Sequence, residues 1–180
     1  MSRMPLTRTD QQSATIREFI ARRGELNLFR LLAHAPSAFV GWTQWVDELL
    51  DSPTFTPRVR ELIILRVAHL QSAPYELSQH ADLARSAGLT ETRIDAIVDA
   101  GDPGDLDDAG FSPTERTVLD AVTELCTTRH LSDDSFAVVQ AALGDEALTE
   151  LLMIVGCYYG LALVLNAVEP DADTTSRLQA

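Results

Sequence analysis

Apolar residues recur along this chain at helical spacing, and the alternation expected of strands is scarce. The pattern predicts a first helix from about Gln11 to Arg23, closed by Gly24, and a short second one from about Leu26 to Ala33, with Pro36 beyond it. A third begins near Ser37, carries Phe39, Trp42, Val46, Leu49 and Leu50, and stops at Asp51-Ser52-Pro53. Thr56-Pro57 reads as an N-cap and a first-turn proline. The helix it opens, Arg58 to about Gln71, has Val59, Leu62, Ile63, Ile64, Leu65, Val67 and Leu70 on nearly every side, as buried helices do. Ser72-Ala73-Pro74 breaks the run, and the next helix starts at Pro74 or Tyr75 and ends at Gly88. Another runs from Leu89-Thr90-Glu91 to Gly101, and Asp102 to Gly110 is a loop. Ser112-Pro113-Thr114-Glu115 is a capping box, Ser132 caps a helix to about Leu143, and Gly144-Asp145 opens a long final helix. Phe55-Thr56-Pro57 echoes Phe111-Ser112-Pro113, which shared helix-start chemistry explains without a repeat. The expected fold is an all-α compact helical bundle: one domain over 1–180, a core at about 11–168, and polar tails at 1–9 and 170–180.

Composition supports a folded core. A chain of 180 residues buries roughly 70% of its unfolded surface and needs no disulfide or metal to hold it. Fourteen basic against 27 acidic residues give a net charge of -13, which repels phosphate backbones, so no nucleic-acid partner is expected. Every basic residue is arginine, which removes lysine Schiff bases, a pyridoxal-phosphate anchor and a Walker lysine. Cys126 and Cys157 are too far apart for a CxxC pair and read as free thiols in a reducing compartment. His34, His69, His80 and His130 form no zinc pattern, so neither a metal nor a cofactor is expected. The start Met1 to Pro5 is polar and lacks a secretory core. The most membrane-like stretch, Leu151 to Val168, is interrupted by Gly156, Tyr158, Gly160 and Asn166 and reads as a buried helix. A cytoplasmic protein with no membrane partner is expected.

Glu61 stands inside the most apolar helix, where an unpaired charge is costly. Glu76 and His80 follow the proline break four residues apart, hence on one helix face, with Tyr75 at the helix start. A buried Glu near a His and a Tyr can hold and pass a proton. The plainer alternatives are a surface Glu76–His80 pair and a Glu61 tied to a core arginine, Arg66 or Arg85. Trp42 and Trp45 read as packing residues, His34 as a helix-end cap, and Cys126 and Cys157 as core fillers.

The block Arg58 to Ala68, then Tyr75-Glu76 and His80, then Ala84 to Leu89 resembles the carboxymuconolactone decarboxylase family, which includes the alkylhydroperoxidase-D-like proteins. The likeness extends upstream to Leu26–Pro36 and downstream to Glu150–Gly156 with Tyr158 and Leu165-Asn166. In the peroxidase branch a glutamate is followed by a CxxC pair and a histidine. Here Glu61 and His80 hold the outer positions, and Ala73 and Glu76 stand where the cysteines would be. No thiolate is available there, so the chain resembles the non-redox branch, with Tyr75-Glu76 as its tyrosine–glutamate pair.

The resemblance implies a cofactor-independent lyase or isomerase acting by proton transfer on a small carboxylated or lactone-like substrate, and a homo-oligomer (dimer, trimer or hexamer). His80 would be the acid/base, Glu61 its orienting partner, Tyr75 an oxyanion donor and Glu76 a proton relay. Arg66 or Arg85 would hold a substrate carboxylate, and Tyr158 and Asn166 would line the pocket. The alternatives are a non-catalytic ligand-binding or assembly protein on the same fold, favoured by a sealed interior around His80, and a peroxidase-type redox enzyme.

Overall fold

The computed structural model of the chain describes residues 2–99, 106, 109–173 and 178. The expected helix end at Gly101 and most of the loop from Asp102 lie outside them, as do residues 174–177 and 179–180 of the polar tail. Among the described residues there are eight α-helices and no strand. They are α1 (Ala14–Arg23), α2 (Asn27–Leu32), α3 (Pro36–Asp51), α4 (Pro57–Leu70), α5 (Pro74–Ser86), α6 (Glu91–Asp99), α7 (Pro113–Thr128) and α8 (Asp133–Val168), after a 3₁₀ turn at Thr9–Gln11. The chain divides into two units, Met1–Asp51 with Val164–Ala180, and Ser52–Leu163.

In the first unit, Phe19, Phe29 and Phe39 pack edge-on and tilted with centroids 4.9–6.2 Å apart, and Trp42 stacks on Phe39 at 6.0 Å. Trp42 therefore packs, while Trp45 is exposed. Arg23, though buried, is held by Asp47 on α3 at 2.9 Å. His34 reaches Pro5 O with Nε2 at 2.7 Å; the expected cap is instead a tie to the N-terminal segment.

The second unit is built around α4. Thr56 Oγ1 accepts from Val59 N, Pro57 takes the first turn, and every residue from Arg60 to Ala68 is buried. α4 packs against α5, α6 and α7, and Leu62, Leu65, Ala84, Leu89, Ile94, Ile97, Leu106 and Leu119 form one core cluster. Each of these leucines and isoleucines contributes about 1.5–3 kcal/mol by leaving water. At the start of α7 the capping box forms as the sequence predicts, and its Glu115 also receives Arg58 Nε at 2.9 Å.

Two turns place the functional residues. After α4, Ser72 takes a left-handed φ of 51°, and Ala73 N returns to Ala68 O at 2.8 Å, a 6→1 bond that satisfies an end carbonyl and reverses the chain. Pro74 then starts α5 alongside α4. On α8, Gly144 (φ 77°, ψ 171°) leaves the helical region where the sequence places a boundary, so the two helices expected there meet at this kink. α8 is long and apolar enough to cross a membrane by length and composition only. Its Leu151, Ile154 and Ala162 are nevertheless fully buried in the fold, as the core helix of a folded domain requires.

Candidate active site

Glu61 lies nine residues before the end of α4, and His80 six after the start of α5. The reversal at 71–73 brings the two to the same level. Glu61 Oε2 and His80 Nδ1 are 2.9 Å apart, and both side chains are about one-twentieth exposed. Glu61 is thus partnered by His80 rather than by a core arginine. A carboxylate on Nδ1 fixes the ring's orientation and favours the protonated imidazole. Burial pulls the His80 pKa down, but the charge and hydrogen bond of Glu61, with the charge of Glu76, outweigh it, and the net direction is upward.

Glu76 lies one turn before His80 on α5 and is 2% exposed, so the pair is no surface i,i+4 bridge. Neither Glu76 oxygen has a hydrogen-bond partner. Burial pushes its carboxyl up to about 8, against the opposing pull of His80. At neutral pH it is a neutral acid, able to donate as well as accept.

Tyr158, from α8, sets its ring edge against His80, with centroids 5.1 Å apart and planes at 87°. Burial, then the charges of Glu61, Cys157 and Glu76, hold its hydroxyl well above the ordinary range, with Arg60 opposing. The phenol stays protonated and can serve as a donor. One turn further, Ala162 packs with Ala68 and Ala73. The first of the family's two cysteine positions, Ala73, is therefore a core contact with no exposure at all.

The remaining candidates lie as follows. Tyr75 is buried in the first turn of α5; the tyrosine in contact with His80 is Tyr158. Arg66 is fully buried and gives Nε to Thr123 Oγ1 at 3.0 Å and Nη1 to Ile97 O at 3.1 Å. Arg85 lies on the surface and pairs with Glu91 and Asp82. The structure does not bring these two guanidinium groups to the Glu61–His80 pair. Asn166, half-buried, belongs to the stretch of α8 grouped with the first unit. The sequence reading missed Arg60, whose charge reaches Tyr158; its only signal was its place beside Glu61. Among the described residues no three His, Cys, Asp or Glu side chains converge as metal ligands.

A separate cleft of about 590 Å³ opens where α4 and α7 begin, lined by Thr54, Phe55, Val59, Ser112, Glu115 and Leu143 among others. Glu61, Glu76, His80 and Tyr158 do not line it.

The fold is that of the alkylhydroperoxidase-D-like proteins. An uncharacterized peroxidase-related protein from Ralstonia eutropha, with an alkylhydroperoxidase AhpD core, superposes with a TM-score of 0.82 at 20% identity, covering 96% of this chain and 93% of that one. A protein of unknown function from Agrobacterium tumefaciens, a putative antioxidant defence protein AhpD, gives 0.70 at 19% identity over 79% and 95%. The debrominase Bmp8, solved as a variant with 2,3,4-tribromopyrrole, gives 0.77 at 18% identity over 96% and 91%. At such identities the likeness is one of fold. No curated protein sequence matches the chain. Residues 36–124 match the sequence model of the carboxymuconolactone decarboxylase family.

Proposed function

We propose that this protein is a cofactor-independent lyase or isomerase that moves a proton next to a carbonyl of a small carboxylated or lactone-like substrate, and that it works in the cytoplasm as a homo-oligomer. The observation that supports the reading is the buried Glu61–His80 hydrogen bond of 2.9 Å. A carboxylate on Nδ1 leaves Nε2 as the working nitrogen, and the pair gives or takes a proton without exposing an isolated charge. In a decarboxylation, the C–C electron pair stays on the substrate as an enolate when CO₂ leaves, and the enolate then takes a proton from His80. In an isomerisation, His80 takes the proton from one carbon and returns it to another. The protonated Tyr158 phenol against the imidazole is suited to stabilise the enolate oxygen.

A thiol-based peroxidase reading has no residue to stand on at positions 73 and 76, which are alanine and glutamate. A non-catalytic binding or assembly role is favoured by one observation: Glu61, Glu76, His80 and Tyr158 are each less than a tenth exposed, so a substrate must displace side chains to enter. Exchange in D₂O separates the two. Small lactones and β-keto acids are incubated with the protein and followed by proton NMR. Deuterium uptake beside the carbonyl that is lost in His80→Gln supports the enzyme. Equal uptake with wild type and His80→Gln, or none at all, removes it.

A further inference from the structure

We infer that the cleft where α4 and α7 begin is a second binding site, built for a small neutral ester or lactone with an apolar body. It is separate from the Glu61–His80 site and does not depend on the proton-transfer reading.

The cleft's volume of about 590 Å³ lies within the roughly 300–1,000 Å³ of small-molecule sites. Phe55 and Val118, both buried, join Val59 and Leu143 as apolar walls. An apolar ligand body gains by leaving water for them. The polar groups select the ligand's other end. Thr56 Oγ1 accepts from Val59 N, which leaves its O–H to donate. Arg58 gives Nε to Glu115 and Nη1 to Gly88 O, and among the described residues nothing accepts from its Nη2 or from the Thr114 hydroxyl. Acceptors are scarce by comparison. Glu115 is the carboxylate in the lining, and its oxygens already take Arg58 Nε and Ser112 N. A ligand that accepts hydrogen bonds and donates none fits that imbalance. Charge then decides between a carboxylate and a neutral carbonyl. Glu115 already sits at the positive end of α7 and also balances Arg58, so the cleft has no cation to spare. A carboxylate would lie beside Glu115 on a chain of net charge -13, whereas a neutral carbonyl oxygen meets the same donors without repulsion. No covalent bond forms or breaks: the carbonyl oxygen takes the place of water on the donors.

Methyl benzoate, benzoate and toluene share a ring and differ in what it carries: a neutral carbonyl, a charged one, and none. Each is titrated into the full chain with valine methyl groups labelled by ¹³C, and the Val59 signals are those absent from Val59→Ile. Millimolar methyl benzoate is expected to shift them saturably, while benzoate and toluene leave them in place. Thr114→Val keeps the side chain's shape, removes its hydroxyl, and should weaken methyl benzoate about two- to tenfold. Ala142→Phe, at an exposed position of the lining, fills the cleft and should abolish the shift. The inference is overturned by Val59 signals indifferent to methyl benzoate, by an equal response to benzoate or to toluene, by an affinity unmoved in Thr114→Val, or by an unchanged response in Ala142→Phe. The comparison of the three ligands needs no variant beyond the one that assigns Val59. Methyl benzoate has no hydrogen on either atom beside its carbonyl carbon, so proton transfer there cannot consume it. Binding in this cleft by a protein that exchanges no substrate proton sinks the catalytic reading alone, and exchange without binding here sinks this one alone.

Discussion

His80 carries opposed influences: burial is the largest and lowers its pKa, while Glu61 and Glu76 raise it to a net upward shift. Its imidazolium should titrate above the ordinary value of about 6.5, and in Glu61→Gln, with the main opposing charge gone, below it; ring-proton NMR reads both. A midpoint unmoved by Glu61→Gln would mean that the 2.9 Å contact does not persist in solution. Glu76 gives a second prediction. Its folded pKa is raised from 4.5 to about 8, so the native state holds a proton that the unfolded chain releases. Stability from that proton is fully present below pH 4.5 and is lost as pH rises towards 8, by at most about 1.4 kcal/mol per unit. Glu76→Gln, which has no proton to lose, should match wild type near pH 4 and melt higher at pH 8. A wild-type advantage at pH 8 would show the carboxylate to be paired. That Glu61 needs a partner was legible in the sequence, because a charge in an all-apolar helix is costly; that the partner is His80 came only from the family resemblance, since spacing alone leaves Arg66 and Arg85 open. The Tyr158 contact to His80 was not legible, since it joins elements far apart in the chain and no local pattern encodes it.

Among the helices, local chemistry was read best. Thr56 and Ser112 cap α4 and α7 at the positions their sequences predict, because a cap depends only on the residues that follow it. The start of α1 was placed at Gln11, but Thr9–Gln11 forms a 3₁₀ turn and Ser13 accepts from Ile16 N, so the polar Gln-Gln-Ser run hid the boundary. The left-handed turn at Ser72 had no glycine to announce it. Ser112→Ala should cost about 1 kcal/mol in urea unfolding, with a range of roughly 0.5–2, since it removes one side of the capping box. Gly144→Ala tests the kink in α8. No atom lies within 4 Å of the added Cβ, so sterics beyond the backbone predict no penalty. The backbone angles, φ 77° and ψ 171°, lie in a region that essentially only glycine occupies, and the expected cost is about 1–3 kcal/mol. An unchanged urea midpoint would mean that α8 straightens without loss.

At the scale of the molecule, the thiols and the final helix remain to be accounted for. Cys126 is buried and its thiol is pushed up to about 11, and Cys157 is buried as well, so neither offers an accessible thiolate. Peroxide consumption should be negligible and the same in a Cys126→Ser, Cys157→Ser double variant. The final helix carries an apolar face that the chain leaves open. Leu152, Met153, Leu163 and Val164 are 38–58% exposed. Gly156 and Gly160, between them at one-turn spacing, have nothing within 4 Å of where a Cβ would stand. Residues four apart share a helix side, so these form one stripe, and a contiguous apolar surface of this kind is uncommon on a monomer. The small residues suit close approach by a second copy, and light scattering should report a multiple of 19.7 kDa at micromolar concentration. Gly156→Leu separates an interface from an incidental patch. In a lone chain the new side chain meets open space, and replacing a mid-helix glycine removes a penalty of about 0.8–1.0 kcal/mol, so the monomer should melt no lower. Across an interface the same side chain holds the partner helix away, and the assembly should dissociate at concentrations where wild type stays associated. A wild type that scatters as a single chain, or a Gly156→Leu variant that assembles as before, would show that this face is not the contact.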